Sequence, residues 1–162
     1  MTITVTLQYS LALQPKMDYN MNKNGPVIVI EDDKDDQEFL SEIFKSLAYK
    51  NEIVFFEDGN EALAYLNKNE ITPFLILSDI NMPKINGFEL RSKVHTNEQL
   101  QVKCIPYLFF TTNANKKSVM DAYALSVQGF FVKPNSHAAL KNTIFKIMEY
   151  WKECIAPNEF DN

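Results

Sequence analysis

Five short apolar runs are spaced along the chain: Val27-Ile28-Val29-Ile30, Ile53-Val54-Phe55-Phe56, Phe74-Leu75-Ile76-Leu77, Ile105 to Phe110, and Phe130-Phe131-Val132. They are nearly continuous in β-branched and aromatic residues rather than alternating, as strands buried on both faces are. After each run the period lengthens to that of a helix. Phe39, Leu40, Ile43, Phe44 and Leu47 follow the first, and Ala62, Leu63 and Leu66 the second. A third helix is predicted from about Phe88 to His95, and a fourth buries Val119, Met120, Tyr123 and Leu125. The last presents Leu140, Ile144, Ile147, Met148 and Trp151 as one stripe, with Asn135 or Ser136 as its cap and Pro157 beyond its end. Predicted strands at 27–31, 53–56, 74–78, 105–110 and 130–132 alternating with helices give an α/β fold, a doubly wound five-stranded parallel sheet covered on both faces.

In such a sheet the carboxyl ends of the strands share one edge, where ligands bind. Four of the runs lead there into polar residues suited to a phosphoryl group: Glu31-Asp32-Asp33, Ser78-Asp79, Thr111-Thr112 and Lys133-Pro134. Carboxylates gathered at a strand end repel one another unless a cation lies between them, and Mg²⁺ suits an oxygen-lined, partly hydrated site. Glu31 and Asp32 are therefore candidate metal ligands, whereas Asp33, Asp35 and Asp36 read as a solvated run that caps the next helix. Asp79 is a candidate nucleophile, since a carboxylate can attack phosphorus and form an acyl phosphate. Pro83 stiffens the loop after it and Gly87 permits a close backbone approach. Lys133 is placed to pair with Asp79 and neutralise phosphoryl oxygens. The run at 53–56 ends in Glu57-Asp58-Gly59 and carries no such group.

The 162 residues suffice for one domain with a proper core. A composition of 46% hydrophobic and 23% charged residues excludes global disorder. The net charge of −5 comes without a basic stripe, so nucleic acid is not an expected partner. No apolar run approaches the roughly twenty residues of a membrane span, and the N-terminus does not read as a secretory signal. A cytoplasmic location is expected. Cys104 and Cys154 are isolated and expected to be reduced structural thiols, with His95 and His137 surface helix residues. Residues 1–25 contain an alternating stretch, Met1 to Leu7, then Asn20, Asn22, Asn24 and Gly25, with Pro26 directly after. They are expected to form a mobile extension, with Met17 and Met21 as alternative starts. The domain is expected over 26–154, and a tail over 155–162 leaves no room for another.

Taken in order and spacing, Glu31-Asp32, Asp79 with Pro83 and Gly87, Thr111, Phe130 and Lys133-Pro134 resemble the receiver domain of two-component response regulators over about residues 26–153. The resemblance implies a CheY-like (flavodoxin-like) sheet of order 2-1-3-4-5. It implies that Asp79 is the phosphoacceptor and that Glu31, Asp32, Asp79 and the backbone carbonyl of Asn81 hold Mg²⁺. Thr111 would bond a phosphoryl oxygen and Lys133 would take the part of the receiver lysine, in a Lys-Pro peptide commonly cis. Thr111 and Phe130 would form the switch. Phe130 stands where many receivers have Tyr, which removes the polar half of that switch. Thr112 stands where Ala is common and crowds access to the phosphoryl group. Implied partners are a histidine kinase or phosphotransfer protein and a downstream protein; homodimerisation through the end of the last helix (Tyr150, Trp151) is an added expectation. The closing segment Met148 to Cys154 is similar to that of small regulators partnering phytochrome-type kinases. Two other readings remain: a Mg²⁺-dependent phosphatase of the haloacid-dehalogenase type, which would want Asp-x-Asp after the first strand, and a pseudo-receiver that binds protein without phosphorylation.

Overall fold

The structure is a computed structural model and describes residues 22–155; the alternating stretch, most of the expected extension and the tail from 156 lie outside these. The strands are β1 (Val27–Ile30), β2 (Ile53–Phe56), β3 (Leu75–Ser78), β4 (Tyr107–Thr111) and β5 (Gly129–Val132). The helices are α1 (Lys34–Leu47), α2 (Gly59–Leu66), α3 (Gly87–Thr96), α4 (Glu98–Gln101), α5 (Lys116–Ala124) and α6 (His137–Glu153). The sheet is parallel throughout, in the order β2-β1-β3-β4-β5. Both the class and the order expected from the sequence are present.

Successive side chains of a strand point to opposite faces, and the apolar runs fill both. Val27, Val29, Leu75, Leu77, Leu108 and Phe110 pack beneath α1 and α6, against Leu40, Ile43, Phe44, Leu140, Ile144, Ile147 and Met148. Ile28, Ile30, Ile76, Tyr107 and Phe109 pack on the other face against Ala62, Leu66, Leu90, Val94 and Ala122. Each large side chain so buried contributes about 1.5–3 kcal/mol. Trp151 packs half-buried against the first cluster, while Tyr150 is exposed.

Polar residues fix the helix ends. Asp33 caps α1, its carboxylate accepting the N–H groups of Asp35 (2.9 Å) and Asp36 (3.1 Å). Asn86 and Asn115 open α3 and α5 with reciprocal capping boxes, and Ser136 caps α6. Arg91, buried on α3, donates from Nε to the Leu125 carbonyl at 2.9 Å and from Nη2 to that of Ser126 at 2.7 Å. A guanidinium thus sits on the negative end of α5 and ties it to α3.

Three expectations change. Met120 and Tyr123 are exposed and Ala122 is the buried residue of α5, because the helix meets the edge of the sheet and turns only its small face inward. A short helix, α4, stands where none was expected; Asn97 caps it and Leu100 anchors it, a single turn too short to show a period. Asn22 to Gly25, placed within the extension, form a turn whose Lys23 and Gly25 carbonyls accept Asn51 Nδ2 at 2.9 and 2.7 Å. His95 and His137 are exposed helix residues, and both cysteines are unpaired. Among the described residues no helix is long and apolar enough to cross a membrane.

Gly87 is where the fold bears on the site. Its N–H donates to the Ile80 carbonyl at 2.8 Å, folding the β3–α3 loop back on itself. A Cβ here would lie 2.3 Å from the Asp79 carbonyl oxygen and 2.9 Å from Ile80 Cα, and both neighbours are backbone. Gly87→Ala is therefore expected to destabilise by about 1–3 kcal/mol, as overpacking does, read as a lower urea midpoint at unchanged slope.

Candidate functional site

The register of the sheet decides which side chains meet. β1 lies between β2 and β3, Ile30 opposite Ser78, so the residues that follow these strands emerge side by side. The ladder runs one step further: Asp79 N–H donates to the Ile30 carbonyl at 2.9 Å and Glu31 N–H to the Phe56 carbonyl at 2.9 Å. Carboxylate oxygens of Glu31, Asp32 and Asp79 thereby come within 4.8 Å of one another. Glu31 and Asp79 are buried and Asp32 half-buried. Asp79 is held by its own loop, one oxygen accepting the Ile80 N–H at 2.7 Å while Ser78 Oγ donates to its carbonyl at 2.8 Å.

Burial of a carboxylate in low dielectric favours its protonated form. Burial pushes Glu31 up to about 7; the Lys133 ammonium opposes this and the neighbouring Asp79 adds to it. For Lys133, burial works against the charged form, but the bonds to Asp36 and Glu31 outweigh it and hold the ammonium above its ordinary value.

Lys133 is brought in by β5, beside β4, its N–H donating to the Thr111 carbonyl at 2.7 Å. Its ammonium does not pair with Asp79 as expected. It donates to Glu31 and, at 2.7 Å, to Asp36. The longer Glu31 side chain reaches across, and the first turn of α1 sets Asp36 on the same rim. Lys133-Pro134 is trans, as are all described peptide bonds; trans is the lower-energy isomer before proline by about 0.5–1 kcal/mol.

Thr111 ends β4 fully buried, and its Oγ1 has no hydrogen-bond partner. A buried hydroxyl left unpaired costs about 1–3 kcal/mol, so it marks a place where an acceptor is wanted. Phe130 is half-buried on the same face of the sheet, its ring 6.1 Å from that of Phe109. Asn81 is exposed in the β3–α3 loop, and among the described residues no hydrogen bond uses its carbonyl. A groove of about 320 Å³ opens alongside, bounded by Asp36, Phe39, Thr112, Lys133 and Pro134.

Of the sequence candidates, Glu31, Asp32, Asp79 and Lys133 are thus gathered at one end of the sheet, with Thr111 closing the neighbouring strand. Asp36 is the residue that sequence reasoning passed over. Within an acidic run after a strand, nothing local separates an acid that meets a lysine 97 positions away from one that meets water.

Known proteins share this fold. Residues 27–145 match the family model of the response regulator receiver domain. Response regulator Rcp1 of Synechocystis is 30% identical over 134 residues, covering 80% of this chain and 90% of its own length. The crystal structure of the phosphorylated cyanobacterial phytochrome response regulator RcpA superposes with a TM-score of 0.74 at 28% identity, over 83% of this chain and 99% of the other. That of the Mn²⁺-bound form of Rcp1 gives 0.69 at 28% identity, over 82% and 97%. With its strand order, its acidic cluster and its lysine after β5 all in place, this chain belongs to the response regulator receiver domain family.

Proposed function

We propose that this chain is a phosphorylated switch: Asp79 accepts a phosphoryl group from a phosphohistidine of a histidine kinase or phosphotransfer protein, and the acyl phosphate changes the surface offered to a downstream protein. The observation that carries the reading is the triad of carboxylates within 4.8 Å, with a buried ammonium and an unpartnered buried hydroxyl in the same part of the fold.

The donor set fits a hard divalent cation. It is all oxygen, it carries an excess of negative charge, Asp32 is half-buried, and Asn81 is exposed with its carbonyl engaged by no hydrogen bond among the described residues. Glu31, Asp32, Asp79 and the Asn81 carbonyl would hold Mg²⁺, which supplies charge neutralisation for the transferring group. The Mn²⁺ of the Rcp1 structure supports that choice of ion class.

The chain's own residues do the rest. The Ile80 N–H fixes one Asp79 oxygen and leaves the other as nucleophile. That oxygen attacks phosphorus, the P–N bond breaks, and the imidazole leaves with the electron pair and takes a proton from solvent. Lys133 swings from the acids it holds to the phosphoryl oxygens. Thr111 Oγ1 donates to another of them and so gains the partner it lacks. The product carries about −1.5 to −2 charge in place of the single charge of the carboxylate, and presents three acceptor oxygens. Movement of Thr111 frees space on the face it shares with Phe130, and inward packing of that ring alters the α5–β5–α6 surface, where Met120, Tyr123, Val132 and Tyr150 are exposed. Signalling follows from a partner's different affinity for the two arrangements. The phosphorylated phytochrome regulator RcpA supports a kinase of phytochrome type as donor. A phosphatase is disfavoured because the acids that close β1 are Glu31-Asp32, while the Asp-x-Asp beyond them, Asp33-Lys34-Asp35, is taken up by the cap and first turn of α1.

Two tests follow from this chemistry. Asp79→Asn is expected to reduce labelling by acetyl phosphate or a phosphohistidine donor to background while leaving the circular dichroism spectrum unchanged; labelling at the wild-type rate removes Asp79 from the mechanism. The second uses Glu31, whose folded-state value of about 7 lies above its ordinary 4.5. Between these values the folded chain keeps a proton that the unfolded chain has released, so metal-free stability falls as pH rises through that window. Mg²⁺ competes with the same proton, so its affinity, measured by calorimetry, is expected to rise as pH is raised through about 7. Glu31→Gln is expected to weaken binding and flatten that slope.

A further inference from the structure

Three acids follow Asp32 within the run, and the structure gives them different work. Asp33 is spent capping α1, and Asp35 is exposed with only its backbone engaged by that cap. Asp36 Oδ2 instead accepts a hydrogen bond from Lys133 Nζ at 2.7 Å, with the lysine side chain 8% exposed and the aspartate 40%. The contact sits on a fixed support. The Asp33 cap sets the first turn of α1, and Gln37 Nε2 donates to the Glu31 carbonyl at 2.6 Å, tying that turn to the end of β1. Lys133 Nζ thus spends two of its three N–H donors on Glu31 and Asp36.

We propose that Asp36 is a positioning residue that holds the Lys133 ammonium on the α1 rim of the site and so weakens its grip on a phosphoryl group. This rests on the phosphoacceptor reading above. To bond a phosphoryl oxygen, Lys133 must give up or share the Asp36 carboxylate, and that carboxylate remains as a negative charge beside an incoming dianion. Both effects act in one direction. Asp36 also borders the groove that opens beside Lys133, so the restraint lies on an accessible wall of the site.

The experiment compares Asp36→Asn with Asp35→Asn, which removes the same charge from the same helical turn without touching Lys133. Beryllofluoride serves as phosphoryl mimic at saturating Mg²⁺, with binding followed by ¹⁹F NMR. Asp36→Asn is expected to tighten binding about three- to tenfold, as loss of one partly exposed charge contact allows, against less than about twofold for Asp35→Asn. Asp36→Glu, which keeps the carboxylate, is expected to fall between wild type and Asp36→Asn. A second readout needs neither metal nor mimic: hydrogen exchange of the Lys133 ammonium, observed in ¹H–¹⁵N correlation spectra of the metal-free chain, is expected to quicken severalfold in Asp36→Asn alone. Equal affinity gains in both Asn variants would reduce Asp36 to one more helix-start charge and overturn the proposal. So would unchanged ammonium exchange, or weaker binding in Asp36→Asn. Failure of the wild type to bind beryllofluoride sinks the phosphoacceptor reading instead and, with it, the affinity claim.

Discussion

Three carboxylates packed within 4.8 Å of one another form an arrangement a chain does not adopt for stability. Two of them are buried, where water screens their repulsion poorly. Sheet register forces them together: parallel β1 and β3 end level with each other, and the ladder runs one residue past each strand to fix Glu31 and Asp79. Every other feature of the site answers that charge. Glu31 is pushed toward the protonated form, Lys133 is drawn into the cluster, and the Ile80 N–H supports one Asp79 oxygen. Excess negative charge so arranged is what a divalent cation offsets, and the phosphoryl chemistry of the proposed function needs such a cation.

Strain of this kind is tolerable only on a rigid frame. The sheet is packed on both faces, with Phe74, Leu75, Ile76 and Leu77 essentially inaccessible to solvent, so β3 cannot retreat from β1 to separate the acids. The loop beyond Asp79 has no slack either, since Gly87 comes so close that a methyl group has no room. By contrast, α5 meets the sheet through Ala122 and exposes Met120 and Tyr123. The Arg91 clamp holds only its far end, at the Leu125 and Ser126 carbonyls. Rigidity is thus concentrated around the acids, while α5 covers its part of the sheet with a small buried face.

How much of this could be read from the sequence depended on range. The strands were legible because both-face burial leaves an unbroken apolar run, and Glu31, Asp32, Asp79, Thr111 and Lys133 were legible because each ends one of those runs. Capping by Asp33 was legible too, being local. Asp36 was not, because its partner comes from β5 and only folding decides which acid of the run faces it. Met120 and Tyr123 satisfied a helical period yet stayed in solvent; periodicity marks a possible buried face without telling how wide a surface the helix will meet. The Lys133–Asp79 pairing failed for a similar reason, since the lysine had three acids within reach and pattern alone could not rank them.

Thr111 and Phe130 carry the argument one step further. The threonine hydroxyl is buried without a partner, while the ring beside it on the same face has no hydroxyl of its own. In a receiver with tyrosine at the second position, inward and outward states can differ by a hydrogen bond as well as by packing. Here only packing and burial of the ring can distinguish them. Phe130 is half-buried, already in edge contact with Phe109, which in turn touches Phe88 on α3 and Tyr107. That aromatic row spans from the switch position to the helix following the Asp79 loop. Inward movement of Phe130 would therefore gain apolar contact at about 25 cal/mol per Å² buried, against no hydroxyl desolvation. On the proposed reading the equilibrium of this switch is set by Thr111 vacating volume, and the phosphoryl group acts on the aromatic row through that one hydroxyl.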